Sequence, residues 1–102
     1  MAEYTIKIDV VLFNKGEIQK RTSFYSEIDG PCVPRDGESV ILSGERYAVI
    51  DVIHAMSFRE MHTEVELESV FVDTSKEYEK KLDFMEHHAG MAPVSLGKES
   101  DS

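Results

Sequence analysis

This 102-residue chain has no tryptophan, a single cysteine and only three prolines. The lone Cys32 cannot close an internal disulfide and can give a metal at most one thiolate, so neither crosslinks nor a zinc cluster hold the fold. Long apolar runs are also missing: none approaches the ~20 residues that a membrane-spanning helix needs. The start, MAEYTIKID, lacks a basic region followed by an apolar core. The expectation is a cytoplasmic protein with no membrane segment. With 41% apolar residues, packing must supply the stability, and a chain of this length suits one modest core.

Positive charge is scarce as well. Eleven Lys and Arg face twenty Asp and Glu, leaving a net charge of −9. The imbalance is local. Residues 1–35 match five acids with five bases, whereas residues 36–79 set eleven acids against Arg46, Arg59 and Lys76. Such a surface repels phosphate backbones, and Lys15, Lys20 and Arg21 are too few to make a basic footprint, so direct nucleic-acid binding is not expected.

What is present is strand periodicity. Tyr4, Ile6, Ile8, Val10 and Leu12 alternate with Thr5, Lys7 and Asp9, the period-two pattern of a half-buried strand. Asn14-Lys15-Gly16 can turn the chain into a second strand, Glu17 to Tyr25, with Ile18, Lys20, Thr22 and Phe24 on one face. Gly30-Pro31 and Pro34 mark Ser26 to Asp36 as an irregular connection. Ser39 to Leu42 and Arg46 to His54 form a second hairpin about Ser43-Gly44. In its longer strand Tyr47, Val49, Asp51 and Ile53 share one face, and Ala48, Ile50, Val52 and His54 the other. Both faces are apolar, so both need cover. A fifth strand, Thr63 to Val72, turns Val65, Leu67 and Phe71 inward and Glu64, Glu66 and Glu68 outward.

Thr74-Ser-Lys-Glu77 fits a capping box, so a helix is predicted over about 74–89 with Gly90 as its stop. Tyr78, Leu82 and Met85 form its apolar stripe, which either covers the fourth strand or pairs with a second copy in a homodimer. The fold expected is therefore mainly β in the α+β sense: a small five-stranded antiparallel barrel or strongly bent sheet with one C-terminal helix. Residues 1–89 make one domain, and 90–102, without period and polar at the end, a disordered tail.

Catalytic and metal-binding patterns are missing. His54 and His62 lie eight residues apart and His87-His88 are adjacent, so no pair has helical zinc spacing, and no metal or cofactor is expected. Cys32, beside Pro31, has no histidine near it in sequence and is read as a small loop residue. Asp51 interrupts an apolar face, and Arg35, Arg46 or Arg59 are its candidate partners. Gly30, Gly37 and Gly44 lie in turns that open no helix, so no phosphate loop is present, nor is a close Ser/His/Asp set. An enzyme is not expected. The acidic comb Glu64, Glu66, Glu68, with Glu60 nearby, has a pitch of ~6.8 Å on one strand face, comparable to phosphates along a nucleic-acid strand.

The hairpin residues carry a resemblance. Val33, Pro34, Gly37, Val40, Leu42, Gly44, Tyr47, Val49 or Ile50, and Val52 approximate V-P-x-x-G-x-x-V-x-L-x-G-x-x-Y-x-V-x-x-V, so the segment resembles small barrel proteins of bacteriophages and mobile elements. The resemblance implies a Src-homology-3-like or related barrel and transfers no catalytic residue. The functional expectation is a non-enzymatic acidic protein, phage-encoded, that inhibits a host nucleic-acid-processing or defence protein by covering its basic surface. Glu60, Glu64, Glu66 and Glu68 would supply charge, and Met56, Phe58 and Met61 the apolar anchor. Two alternatives stand beside it. One is an oligomeric sponge for a nucleotide signal, using Arg35, Arg46, Tyr47 and Arg59; the other is a virion or assembly docking piece.

Overall fold

Two tight turns organise the first four strands. A computed structural model describes the backbone of residues 2–56 and 61–93 and the side chains of residues 3–54 and 62–93. Strand β1 (Ala2–Asn14) enters β2 (Glu17–Gly30) through Lys15 and Gly16, with φ of 56° and 78°. Strand β3 (Ser39–Leu42) enters β4 (Glu45–Met56) through Ser43 and Gly44, with φ of 52° and 88°. Two successive positive φ values give the turn whose twist matches the flanking strands, and glycine takes the second without a Cβ penalty. Then follow β5 (Met61–Leu67), β6 (Val70–Val72), helix α1 (Ser75–His87) and β7 (Ala92–Pro93).

The chain is thus mainly β, and among the described residues it has one helix and seven strands, not five, which are not all antiparallel. β1 runs parallel to both β5 and β6. The hydrogen-bonded order among the described residues begins at β3, passes β4, β5, β1 and β2, and ends at β7, with β6 beside β1. Alternation reports which face a residue takes, not which strand lies beside it or in what direction.

The residues fall into two compact units, 1–7 with 26–68 and 8–25 with 69–102, and β1 and β2 contribute to both. In the first unit, β3, β4, β5 and the start of β1 bury Ile6, Tyr47, Val49, Val65 and Leu67. β4 holds a bulge. Val49 pairs with Leu67 and Asp51 with Glu66, so Ile50 is an extra residue that reverses the inward phase. Beyond it Val52 opposes the buried Val65, while Asp51 and Ile53 turn outward. The faces expected from uninterrupted alternation therefore hold only as far as Val49. The loop before β3 is clasped to β4 as well: Val49 donates to the Glu38 carbonyl at 2.8 Å and Gly37 to that of Val49 at 3.1 Å.

In the second unit, the far ends of β1 and β2 with β6, α1 and β7 bury Ile8, Val10, Val11, Leu12, Phe24, Tyr78, Met85 and Met91. Thr74 caps the helix, its hydroxyl accepting from the Glu77 amide at 3.1 Å, which is the threonine half of the expected capping box. Tyr78 packs against β2, where its hydroxyl shares a 2.6 Å hydrogen bond with Thr22 and its ring lies 5.9 Å from Lys20 Nζ. Tyr78 and Met85, expected at a homodimer seam or over β4, are thus buried within this unit.

Three further expectations change. The connection predicted from Ser26 is strand as far as Gly30. The single fifth strand is two, because Glu68 leaves the ladder: its amide donates to the Ala48 carbonyl at 2.9 Å and its carboxylate accepts from the Ala48 amide at 3.1 Å. The two-residue break resets the alternation and sends Phe71 outward, 64% exposed. Finally, Met91 is buried and Ala92–Pro93 pairs with Phe24 and Tyr25, so the segment after Gly90 is structured as far as Pro93. Residues 94–102 lie outside the described residues.

Candidate functional site

The outward surface of β4, β5 and β1 in the first unit forms a small grid. Register places Ile53, Glu64 and Thr5 in one row and Asp51, Glu66 and Lys7 in the next. Residues directly opposite on neighbouring strands share a face, so these six side chains lie on one side of the sheet, where Thr5 is buried and the other five form the patch. Only Lys7 brings positive charge to it. Its Nζ lies 3.8 Å from Glu66 Oε2, a pair about one-quarter exposed on each side.

Glu66 carries the electrostatic signature of the patch. Its carboxyl is pushed above the usual range, chiefly by burial, with the charges of Glu64 and Asp51 and a hydrogen bond to Glu64 adding to the rise. Lys7 opposes that rise without cancelling it. Two carboxylates facing each other across strands, Asp51 and Glu66, destabilise a sheet, so the crowding is not there to hold the fold together.

The expected acidic comb is thereby altered. Glu64 and Glu66 keep the strand pitch, but the Glu68 carboxylate is engaged by the Ala48 amide, and Asp51 of β4 takes its place as third acid. Asp51 was expected to be a buried carboxylate in need of an arginine. It is exposed instead, because the bulge at Ile50 turns it to solvent. The bulge also leaves Ile50 52% and Ile53 39% exposed beside the acids. Sequence reading missed both isoleucines as surface residues; no pattern in β4 announces the extra residue. Phe58, Arg59 and Glu60 lie outside the described residues, as do the side chains of Met56 and Met61.

Of the alternative set Arg35, Arg46, Tyr47 and Arg59, the first three are described. Tyr47 is a core residue, and its neighbour Arg46 projects to the opposite side of β4. Arg35 is exposed in the loop before β3, where its amide donates to the Glu38 carboxylate at 2.7 Å. His54 Nδ1 lies 3.1 Å from Thr63 Oγ1, and His87 sits 3.6 Å from Asp83 on the helix. Among the described residues no three His, Cys, Asp or Glu side chains gather as metal ligands, and no helix is long and apolar enough to cross a membrane. Cys32 is an exposed thiol, and Tyr4 is pushed upward first by burial and then by that thiol.

Comparisons of the chain with family models, with curated proteins and with solved structures find no match. The functional reading therefore rests on the patch itself.

Proposed function

We propose that this is a non-enzymatic binding protein whose β4–β5 surface engages the basic face of a partner protein, of the kind that holds nucleic acid, and blocks it. The observation that carries the reading is the like-charge pair Asp51 and Glu66, with Glu64 beside it and the exposed Ile50 and Ile53 at its border. An acidic cluster that works against folding is accounted for by a cationic partner, which lowers the repulsion on contact. The charges steer the encounter, and the isoleucines add contact area once water is excluded.

Capture of lysate proteins on the immobilised chain, at ionic strengths of about 0.05 and 0.3 M, spans the range in which the screening length falls through ~8 Å. The expected result is retention of basic, nucleic-acid-binding proteins by the native chain at low salt. That retention is lost in the Asp51→Lys/Glu64→Lys variant, and Ile53→Ser weakens it at both salts. Glu68 is left unchanged in this design because its carboxylate holds the Ala48 amide. If the charge-reversed chain retains the same basic proteins, the acidic-face reading is wrong.

A further inference from the structure

The second unit contains an open cleft of about 330 Å3 lined by Phe13, Phe71, Val72, Asp73 and Glu77. Phe71 pairs with Val11 in the parallel ladder, and Phe13 lies one alternate step further along β1, so both phenyl rings emerge on one face. Their centroids are 6.4 Å apart and their planes stand at 88°, a T-shaped pair in which two aromatic walls of the cleft stand at right angles. The rings are 44% and 64% exposed, a costly disposition for two phenylalanines with no polar atom to offer water.

The acids of the same cleft restrict what can enter it. Among the described residues neither the Asp73 nor the Glu77 carboxylate has an ion-pair partner. The backbone around them is held in place: Asn14 Nδ2 donates to the Asp73 carbonyl at 3.0 Å, and Thr74 occupies the Glu77 amide. An anion would meet two negative charges. A neutral apolar ligand would cover the rings but strip water from the carboxylates without return. A bare metal ion would find two oxygen donors and two rings it cannot use. A guanidinium, being planar, would lie on one ring only. A rounded, weakly hydrated cation with an apolar skin satisfies both walls and both acids.

We propose that this cleft binds the head group of an alkylated ammonium ion, with Phe13 and Phe71 as its aromatic walls and Asp73 and Glu77 supplying the field. The inference is independent of the β4–β5 patch and stands or falls without it. The ion can come from a free quaternary amine or from a methylated lysine side chain of a peptide, which present the same chemistry.

The test follows the aromatic NMR resonances of the full chain during titration with choline, with its neutral isostere 3,3-dimethylbutan-1-ol, and with one short peptide carrying either trimethyllysine or lysine. The expected result is a saturable shift of the Phe13 and Phe71 rings by choline or the trimethyllysine peptide, with the neutral isostere about tenfold weaker. Whichever cation binds tighter identifies the source. Phe71→Leu keeps an apolar side chain at an exposed position but removes the ring, and it should cost about tenfold in affinity; Phe13→Leu serves equally should that variant fail to fold by circular dichroism. Asp73→Asn with Glu77→Gln should weaken binding about three- to tenfold and close the gap to the isostere. Equal binding of the isostere and choline, or no saturable shift with either cation, overturns the proposal.

Discussion

The two units of this chain differ sharply in charge and in what covers their strands. The first carries eleven acids against four bases, a net of −7, and the second nine against seven, a net of −2. The second has a helix to cover its strands: Tyr78 and Met85 of α1 join Phe24 and Met91 in the core. Among the described residues the first has no helix, and it leaves Ile50 and Ile53 exposed beside its acids. The lesson is one of division. One unit is close to neutral and packs a helix against its strands, and the other concentrates the acid on strands that no described helix covers.

Removing a core ring from the second unit is the severest way to test that division. Phe24→Ala deletes a side chain that is 1% exposed, and it should cost about 3–5 kcal/mol, read as a lowered urea midpoint. A loss below about 1 kcal/mol would mean that the packing of this unit is not what stabilises it. A smaller effect is expected at the helix start. Thr74→Ala removes the acceptor of the Glu77 amide and should cost about 0.5–2 kcal/mol, with Thr74→Ser restoring most of it. Rescue failing with serine would point to something other than the cap.

The smallest effect probes the first unit and has the opposite sign. Glu66 titrates higher in the folded chain than in the unfolded one, so the folded state binds more protons between the two values. Stability therefore falls as pH rises through that window, and at neutral pH the ionised Glu66 works against the fold. Glu66→Gln should raise the neutral-pH stability, by no more than about 1 kcal/mol for a partly exposed, screened group that also loses its contact with Lys7. The gain should disappear at a pH below the unfolded carboxyl value. Melts of both chains at neutral and acid pH check this, and a variant less stable than the native chain at neutral pH would show that the Lys7 pair outweighs the crowding.

Much of the fold was legible because its signals are local. Lys15-Gly16 and Ser43-Gly44 turn where their residue types allow positive φ, and Thr74 starts the helix as its N-cap, accepting from the Glu77 amide. The alternation of Ile6, Ile8, Val10 and Leu12 named the buried face of β1 correctly. The site was less legible. Glu64 and Glu66 are on the expected surface, but Glu68 is engaged by Ala48, and Asp51, Ile50 and Ile53 join the patch only because of the bulge. The cleft at Phe13 and Phe71 depends on the break at Glu68 and Ser69, which puts Phe71 outside when simple alternation puts it inside.

By itself, then, the sequence determined the turns, the start of the helix, the apolar faces up to the first irregularity and the excess of acid. These depend on the conformational preferences of a few adjacent residues. Tertiary structure alone decided that β1 lies parallel to β5 and β6, that Ile50 is the extra residue of β4, and that Met91 belongs to a core. Each of those depends on which distant backbone groups satisfy one another's hydrogen bonds, and no short stretch of chain encodes its own partner.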